Sequence, residues 1–155
     1  MPAVKGTMRG RFIPKFPQKY VGNSNAIFFR SSWELRFMKW LDENNAVVRW
    51  GSEELAIPYV NPIKTDAQGR PVISRYYPDF IIQYIDTSGQ VKKEIIEIKP
   101  YKESVITPKM SDRDKQAFMV NQAKWKAASI FAEQQGAEFR VITEQTLFKN
   151  NKRKR

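Results

Sequence analysis

Two stretches rich in Ile, Tyr and Phe, Arg75–Ile85 and Val91–Lys99, lie on either side of Asp86-Thr-Ser-Gly-Gln90. Runs of that composition separated by a short Gly-containing segment read as two antiparallel strands joined by a hairpin turn. A turn centred on Ser88 sets Ile85 opposite Val91, Ile81 opposite Ile95, and Asp79 opposite Glu97. Lys99 lies two residues beyond Glu97 and therefore projects from the same face of its strand. A slip of one residue would break this arrangement and would also mismatch the apolar partners, so the core enforces the register.

Carboxylates directly opposite in a sheet have Cβ atoms about 4.5–5.5 Å apart and repel each other. Asp79 precedes Phe-Ile-Ile and Glu97 stands between Ile96 and Ile98. Apolar surroundings of this kind disfavour the charged forms further. A hard divalent cation between the two acids relieves the repulsion, and Mg²⁺, with Mn²⁺ as a substitute, suits one or two carboxylates plus water and phosphate oxygens. Such an ion activates water and neutralises charge on a phosphodiester transition state. Lys99 beside it could orient or deprotonate the water, or stabilise the developing charge. The competing reading has Asp79 merely opening a strand and Glu97 paired with Lys99 or Lys93 on a solvated face. Pro78 before Asp79, the facing geometry and the charge of the chain favour the site.

That charge is +11, from 27 Lys and Arg against 16 Asp and Glu. A surplus of this size attracts a polyanion, and nucleic acid is the partner it suggests. The chain has no histidine, which removes Ser-His-Asp chemistry and imidazole metal ligands, and no cysteine, which removes disulfides and thiolate zinc sites. Hydrolysis would have to run on carboxylates, lysine, tyrosine and an oxygen-loving metal. No apolar run approaches the roughly 18 residues of a membrane span, and Met1–Phe12 has no apolar segment of a secretory leader.

Residues 1–24 read as an extended basic arm packed by Phe12, Phe16 and Tyr20, residues 25–148 as one domain, and 149–155 (Lys-Asn-Asn-Lys-Arg-Lys-Arg) as a disordered basic tail, solubilising or phosphate-binding. Ser31-Ser-Trp-Glu34 is a capping-box pattern opening a helix that carries Trp33, Phe37, Trp40 and Leu41. Val47–Tyr59 reads as one or two strands with Pro58 at an edge. Asn61–Pro71 and Tyr101–Met110 read as loops, Asp114–Gln135 as a long helix closed by Gly136, and Glu138–Thr143 as a last strand. The order makes an α/β or α+β single domain. Glu53 and Glu54 are adjacent acids whose side chains should point to opposite faces of a strand, so they are not expected in one site.

Tyr77-Pro-Asp-Phe80 followed by Glu97-Ile-Lys-Pro100 resembles the bipartite signature of the PD-(D/E)xK, restriction-endonuclease-like superfamily. More closely, Arg30–Met38, Trp50–Glu54, Ile57–Tyr59, Glu97–Lys102 and Asn121–Ala128 are similar, in collinear order, to the head completion nucleases of T4-like bacteriophages. The resemblance implies an α/β, restriction-endonuclease-like core, a mixed central sheet flanked by helices in α-β-β-β-α-β order. It implies a Mg²⁺-dependent endodeoxyribonuclease acting on double-stranded DNA as the phage head is finished, with head or portal proteins as partners, in the virion or host cytoplasm. An acid from the helix before the sheet often joins the metal shell in this superfamily, and Glu34, on the core side of its helix, matches that place; a capping role also explains it. Gln122 is expected on the apolar stripe between Phe118 and Trp125, where it would steady the water or scissile phosphate as a helix-borne Gln does in related nucleases, or simply bond locally. Lys102, Lys109, Lys124 and Lys126, with Tyr76, Tyr77 and Tyr101, would line the DNA groove. A virion structural protein that binds DNA on a nuclease scaffold is the alternative, and an RNA-binding protein a weaker one.

Overall fold

The computed structural model describes residues 8–147. The expected basic tail at 149–155 lies outside them. Ahead of the first long helix, β1 (Gly10–Arg11) pairs antiparallel with β2 (Phe28–Phe29), with a 3-10 turn at Pro17–Lys19 between them. Phe12 and Tyr20 are buried, Tyr20 edge-on to Trp50 at 4.8 Å, whereas Phe16 is 42% exposed. Polar bonds strap this stretch down. Lys19 Nζ donates to the carbonyls of Leu41, Asp42 and Asn44 at 2.8–2.9 Å, and the buried Asp42 carboxylate accepts from the backbone N–H groups of Lys15 and Phe16.

The carbonyls that Lys19 reaches are among those a helix leaves over at its C-terminus. The helix is α1 (Ser32–Glu43), and it starts where the capping pattern places it. Ser31 Oγ accepts from Glu34 N–H at 3.1 Å, and Glu34 Oε1 accepts from the N–H of Arg30 rather than Ser31. Five strands follow: β3 (Val47–Ser52), β4 (Ile57–Thr65), β5 (Pro71–Tyr76), β6 (Phe80–Ile85) and β7 (Val91–Ile98). Then come α2 (Asp112–Gln134), β8 (Glu138–Ile142) and a short α3 (Glu144–Leu147). The end of α2 is a Schellman turn: Gly136 has φ +69, its N–H donates to Glu133 O, and Ala137 N–H reaches Ala132 O at 2.8 Å.

The central sheet has strand order β3-β6-β7-β8, antiparallel except for the parallel β7–β8 pair. With its two long helices it follows the order α1, β3, β6, β7, α2, β8, the mixed α/β arrangement expected. Inserted between β3 and β6 is a separate ribbon, β4–β5. Two expectations change here. Of Asn61–Pro71 only 66–70 is a turn: β4 runs to Thr65, its pairing with β5 shifting where Asn61 Oδ1 takes the N–H groups of Ile63 and Lys64. Arg75–Ile85 is not one strand. It breaks at Tyr77-Pro78-Asp79, where a proline that cannot donate to a ladder lets the chain leave the ribbon and enter the central sheet.

One face of the sheet packs on α1, burying Trp33, Phe37, Met38 and Leu41 with Trp50, Phe80, Ile96 and Ile98. The other face receives α2 and the ribbon through Ile95, Ala128, Ala132, Ile57, Tyr59 and Tyr76. Each fully buried Phe, Ile or Leu contributes about 1.5–3 kcal/mol. β7 is buried on both faces from Glu94 to Ile98, so it carries two glutamates into the interior. No helix among the described residues is long and apolar enough to cross a membrane.

Candidate active site

The hairpin register is the one the apolar pairs dictate, with Ile85 opposite Val91, Ile81 opposite Ile95 and Phe80 opposite Ile96. Asp79 lies one residue before β6 begins. Its Oδ2 accepts from Ile98 N–H at 2.7 Å, so its carboxylate crosses to β7 beside Glu97. The carbonyl of Asp79 accepts from Glu53 N–H at 3.1 Å, which anchors it to the end of β3.

Glu97 is 7% exposed. Its Oε1 accepts a 2.7 Å bond from the Tyr76 hydroxyl, and its Oε2 lies 4.0 Å from Lys99 Nζ. Burial raises the Tyr76 pKa far above the usual phenol value; the charge of Glu97 and the bond to it add to this, as does the charge of Asp79. Tyr76 therefore stays a hydrogen-bond donor and senses both acids. Lys99 is fixed by a backbone bond from its N–H to Ile142 O of β8, and its ammonium stands between Glu97 and Glu103 Oε1 at 3.9 Å. Both separations are long for an ion pair, so the ammonium is held between the acids and not locked to one.

α2 contributes Lys124, expected only as a groove residue. Its Nζ lies 5.7 Å from the centroid of the Tyr76 ring and 6.0 Å from that of Tyr59. Burial lowers its pKa, Lys99 pushes the same way and Glu97 opposes them. Two lysines thus flank one buried carboxylate.

Gln122 must be corrected. It is exposed, because the buried side of α2 runs through Val120, Ala123, Trp125, Ala128, Phe131 and Ala132 and leaves out Phe118, so position 122 faces outward. Lys124 is half-buried on the side facing the ribbon. Lys102, Lys109 and Lys126 are exposed, as are Tyr77 and Tyr101.

Glu34 is buried at the start of α1, where it serves the cap, and its charge, after burial and against Arg30, helps raise the pKa of Glu53. Among the described residues no three acidic side chains converge closely enough to hold a metal ion. Asp79 and Glu97 meet around Tyr76, whose hydroxyl feels the charge of both. Two hard carboxylates at the ends of adjacent strands match the donor set of Mg²⁺, which fills its remaining positions with water and phosphate oxygens.

Sequence reasoning missed three groups: Tyr76 as the donor to Glu97, Lys124 as the second lysine, and Glu53 beside Asp79. Lys124 was findable from the phase set by Ala128 and Ala132. Glu53 was set aside by strict strand alternation, which fails there because its φ is +53.

Residues 44–144 match the family described as TnsA-like endonuclease N terminal. The chain is also similar to the head completion nuclease of Enterobacteria phage T4, with 39% identity over 148 residues, covering 89% of this chain and 92% of that protein.

Proposed function

The chain belongs to the TnsA-like endonuclease N-terminal family, and on that premise we propose that it is a Mg²⁺-dependent endonuclease that hydrolyses DNA phosphodiester bonds. The observation that carries this reading is Glu97: a buried carboxylate oriented by Tyr76, beside Asp79, with Lys99 and Lys124 on its flanks. Asp79 and Glu97 would hold the ion, and Mn²⁺, with the same preference for oxygen, would substitute. Bound there, Mg²⁺ supplies Lewis-acid stabilisation of a phosphoryl oxygen and activation of water. Tyr76, kept protonated, fixes the orientation of Glu97. Lys99, its Nζ held between Glu97 and Glu103, orients the attacking water or stabilises the charge that develops on the phosphate. Lys124, already close to Lys99 and stripped of part of its hydration, receives a non-bridging oxygen of the phosphate, where positive charge gains most as negative charge builds up. Glu34 acts through the cap of α1 and through its nearness to Glu53.

The charge of +11 matches a duplex DNA substrate. The likeness to a head completion nuclease supports a role in finishing the head of a phage; in that role the chain would meet head or portal proteins, in the virion or host cytoplasm.

The test is cleavage of supercoiled plasmid with Mg²⁺, with Mn²⁺ and with EDTA, by the wild type and by Asp79→Ala and Lys99→Ala. Nicking or linearisation with either metal, and none with EDTA or either variant, is the expected result. Cleavage that persists in EDTA or in both variants would overturn the mechanism.

A further inference from the structure

Glu53 directly follows β3 and is the one non-glycine residue with positive φ, +53, among the described residues. A left-handed backbone at a residue with a Cβ is strained and persists only where its surroundings hold it. Here they do so from two sides. The Glu53 N–H donates to the carbonyl of Asp79 at 3.1 Å, extending the β3–β6 ladder by one bond. Its Oε1 takes Arg30 Nη1 at 3.2 Å.

Arg30 is in turn held at both ends. Its backbone N–H donates to Glu34 Oε1 at 3.2 Å while its guanidinium, 68% exposed, reaches Glu53. An ion pair this exposed adds little to folding, so it does not account for the strain. What the contact accomplishes is placement: a solvent-facing arginine is pinned to the residue whose N–H bonds the Asp79 carbonyl. A guanidinium carries five N–H donors in a planar fork, and a partner on Nη1 leaves the fork able to receive phosphate oxygens.

We propose that Glu53 is a positioning residue that holds the Arg30 guanidinium beside the Asp79 end of the site, where Arg30 binds a backbone phosphate of the nucleic-acid substrate next to the one being cleaved. This rests on the nuclease reading above. The kinked backbone of Glu53 sets two things at once, the carbonyl of Asp79 and the direction of the carboxylate that orients Arg30. The clamp adds binding energy away from the reacting atoms and fixes the register of the strand across the site.

The experiment measures binding of a labelled DNA duplex at several salt concentrations, together with single-turnover cleavage at saturating DNA. It uses the wild type, Glu53→Gln, Arg30→Met, the double variant and Glu53→Gly. Expected for each single variant is about tenfold weaker binding and a salt slope lowered by about one phosphate contact. The cleavage rate at saturation should fall much less than the affinity. The double variant should be no worse than Arg30→Met, because Glu53 acts through Arg30. Glu53→Gly, free of the strain, should unfold at a higher temperature yet bind DNA as weakly as Glu53→Gln. A Glu53→Gln protein that keeps wild-type affinity and salt slope, or additive losses in the double variant, would overturn the proposal while leaving the nuclease reading intact. A wild type that neither binds nor cuts duplex DNA would overturn both.

Discussion

Glu94 and Glu97 lie on the same strand, three residues apart, and face opposite sides of the central sheet. Both are buried, both accept a hydrogen bond from a tyrosine, and both have a basic partner. The difference is how far the pairing closes. Glu94 meets Arg140 at 2.9 Å through a guanidinium from the neighbouring strand, with the Tyr84 hydroxyl on its other oxygen. Glu97 has its lysine at 4.0 Å, shared with Glu103, and stands beside Asp79. Glu94 even lines a cavity of about 530 Å³ with Phe37, Trp40 and Leu147, which by itself would draw the eye first. A buried acid beside a tyrosine and a cavity do not mark chemistry. Glu97 differs in having a second acid nearby, a loosely held cation and a place near the strand's end, and those differences are what the proposed site rests on.

The sharpest way to break that distinction is to neutralise each glutamate. Glu97→Gln should lower the cleavage rate by about 100-fold or more with the fold intact, read by plasmid nicking alongside circular dichroism. Glu94→Gln should leave cleavage close to wild type and cost about 1–3 kcal/mol of stability, read by urea denaturation. The reverse pattern would mean the faces have been assigned the wrong way round.

A smaller effect separates the lysines from the arginine. Lys124→Met should lower kcat/KM by about tenfold without loss of stability, since the ammonium it removes is one that burial disfavours. A large fall in melting temperature would instead make Lys124 a structural partner, as Arg140 is to Glu94. The tyrosines divide next: Tyr76→Phe should lower kcat several-fold and leave KM near wild type, whereas Tyr84→Phe should cost about 1 kcal/mol of stability and no activity.

The gentlest test is alkaline pH. The bond to Glu94, followed by burial, pushes the Tyr84 pKa from 10.0 up to about 12. The folded state thus keeps a proton that the unfolded chain loses, so this stabilisation is intact below pH 10 and is lost as pH rises towards 12. Urea midpoints on either side of pH 10 should fall less steeply in Tyr84→Phe than in the wild type; equal slopes would detach Tyr84 from the Glu94 cluster.

The features that sequence revealed are those whose causes are local. Ser31 and Glu34 carry a cap in four residues, Gly136 ends α2 through its own backbone, and the Ile pairs set the β6–β7 register that brings Asp79 and Glu97 together. What it hid depends on partners distant in the chain. The far half of β4 looks like a loop because Asn61 and Pro62 are poor strand formers, and the ribbon it belongs to is held because α2 packs over Ile57 and Tyr59. The phase of α2 follows two alanines that permit close approach, with Trp125 packed beside them and Phe118 left out, and that rotation exchanges Gln122 for Lys124.

The bonds from Lys19 and to Asp42 decide where the chain can be cut. A shortened protein that begins after Lys19 would leave three carbonyls at the end of α1 without their ammonium donor and Asp42, 2% exposed, without the Lys15 and Phe16 N–H groups that satisfy it. Anyone trimming the N-terminus for crystallisation or adding a tag by replacement should therefore stop ahead of Lys15. Past that point the trimming removes the lid from a buried charge, and insolubility, not altered catalysis, is the phenotype to expect.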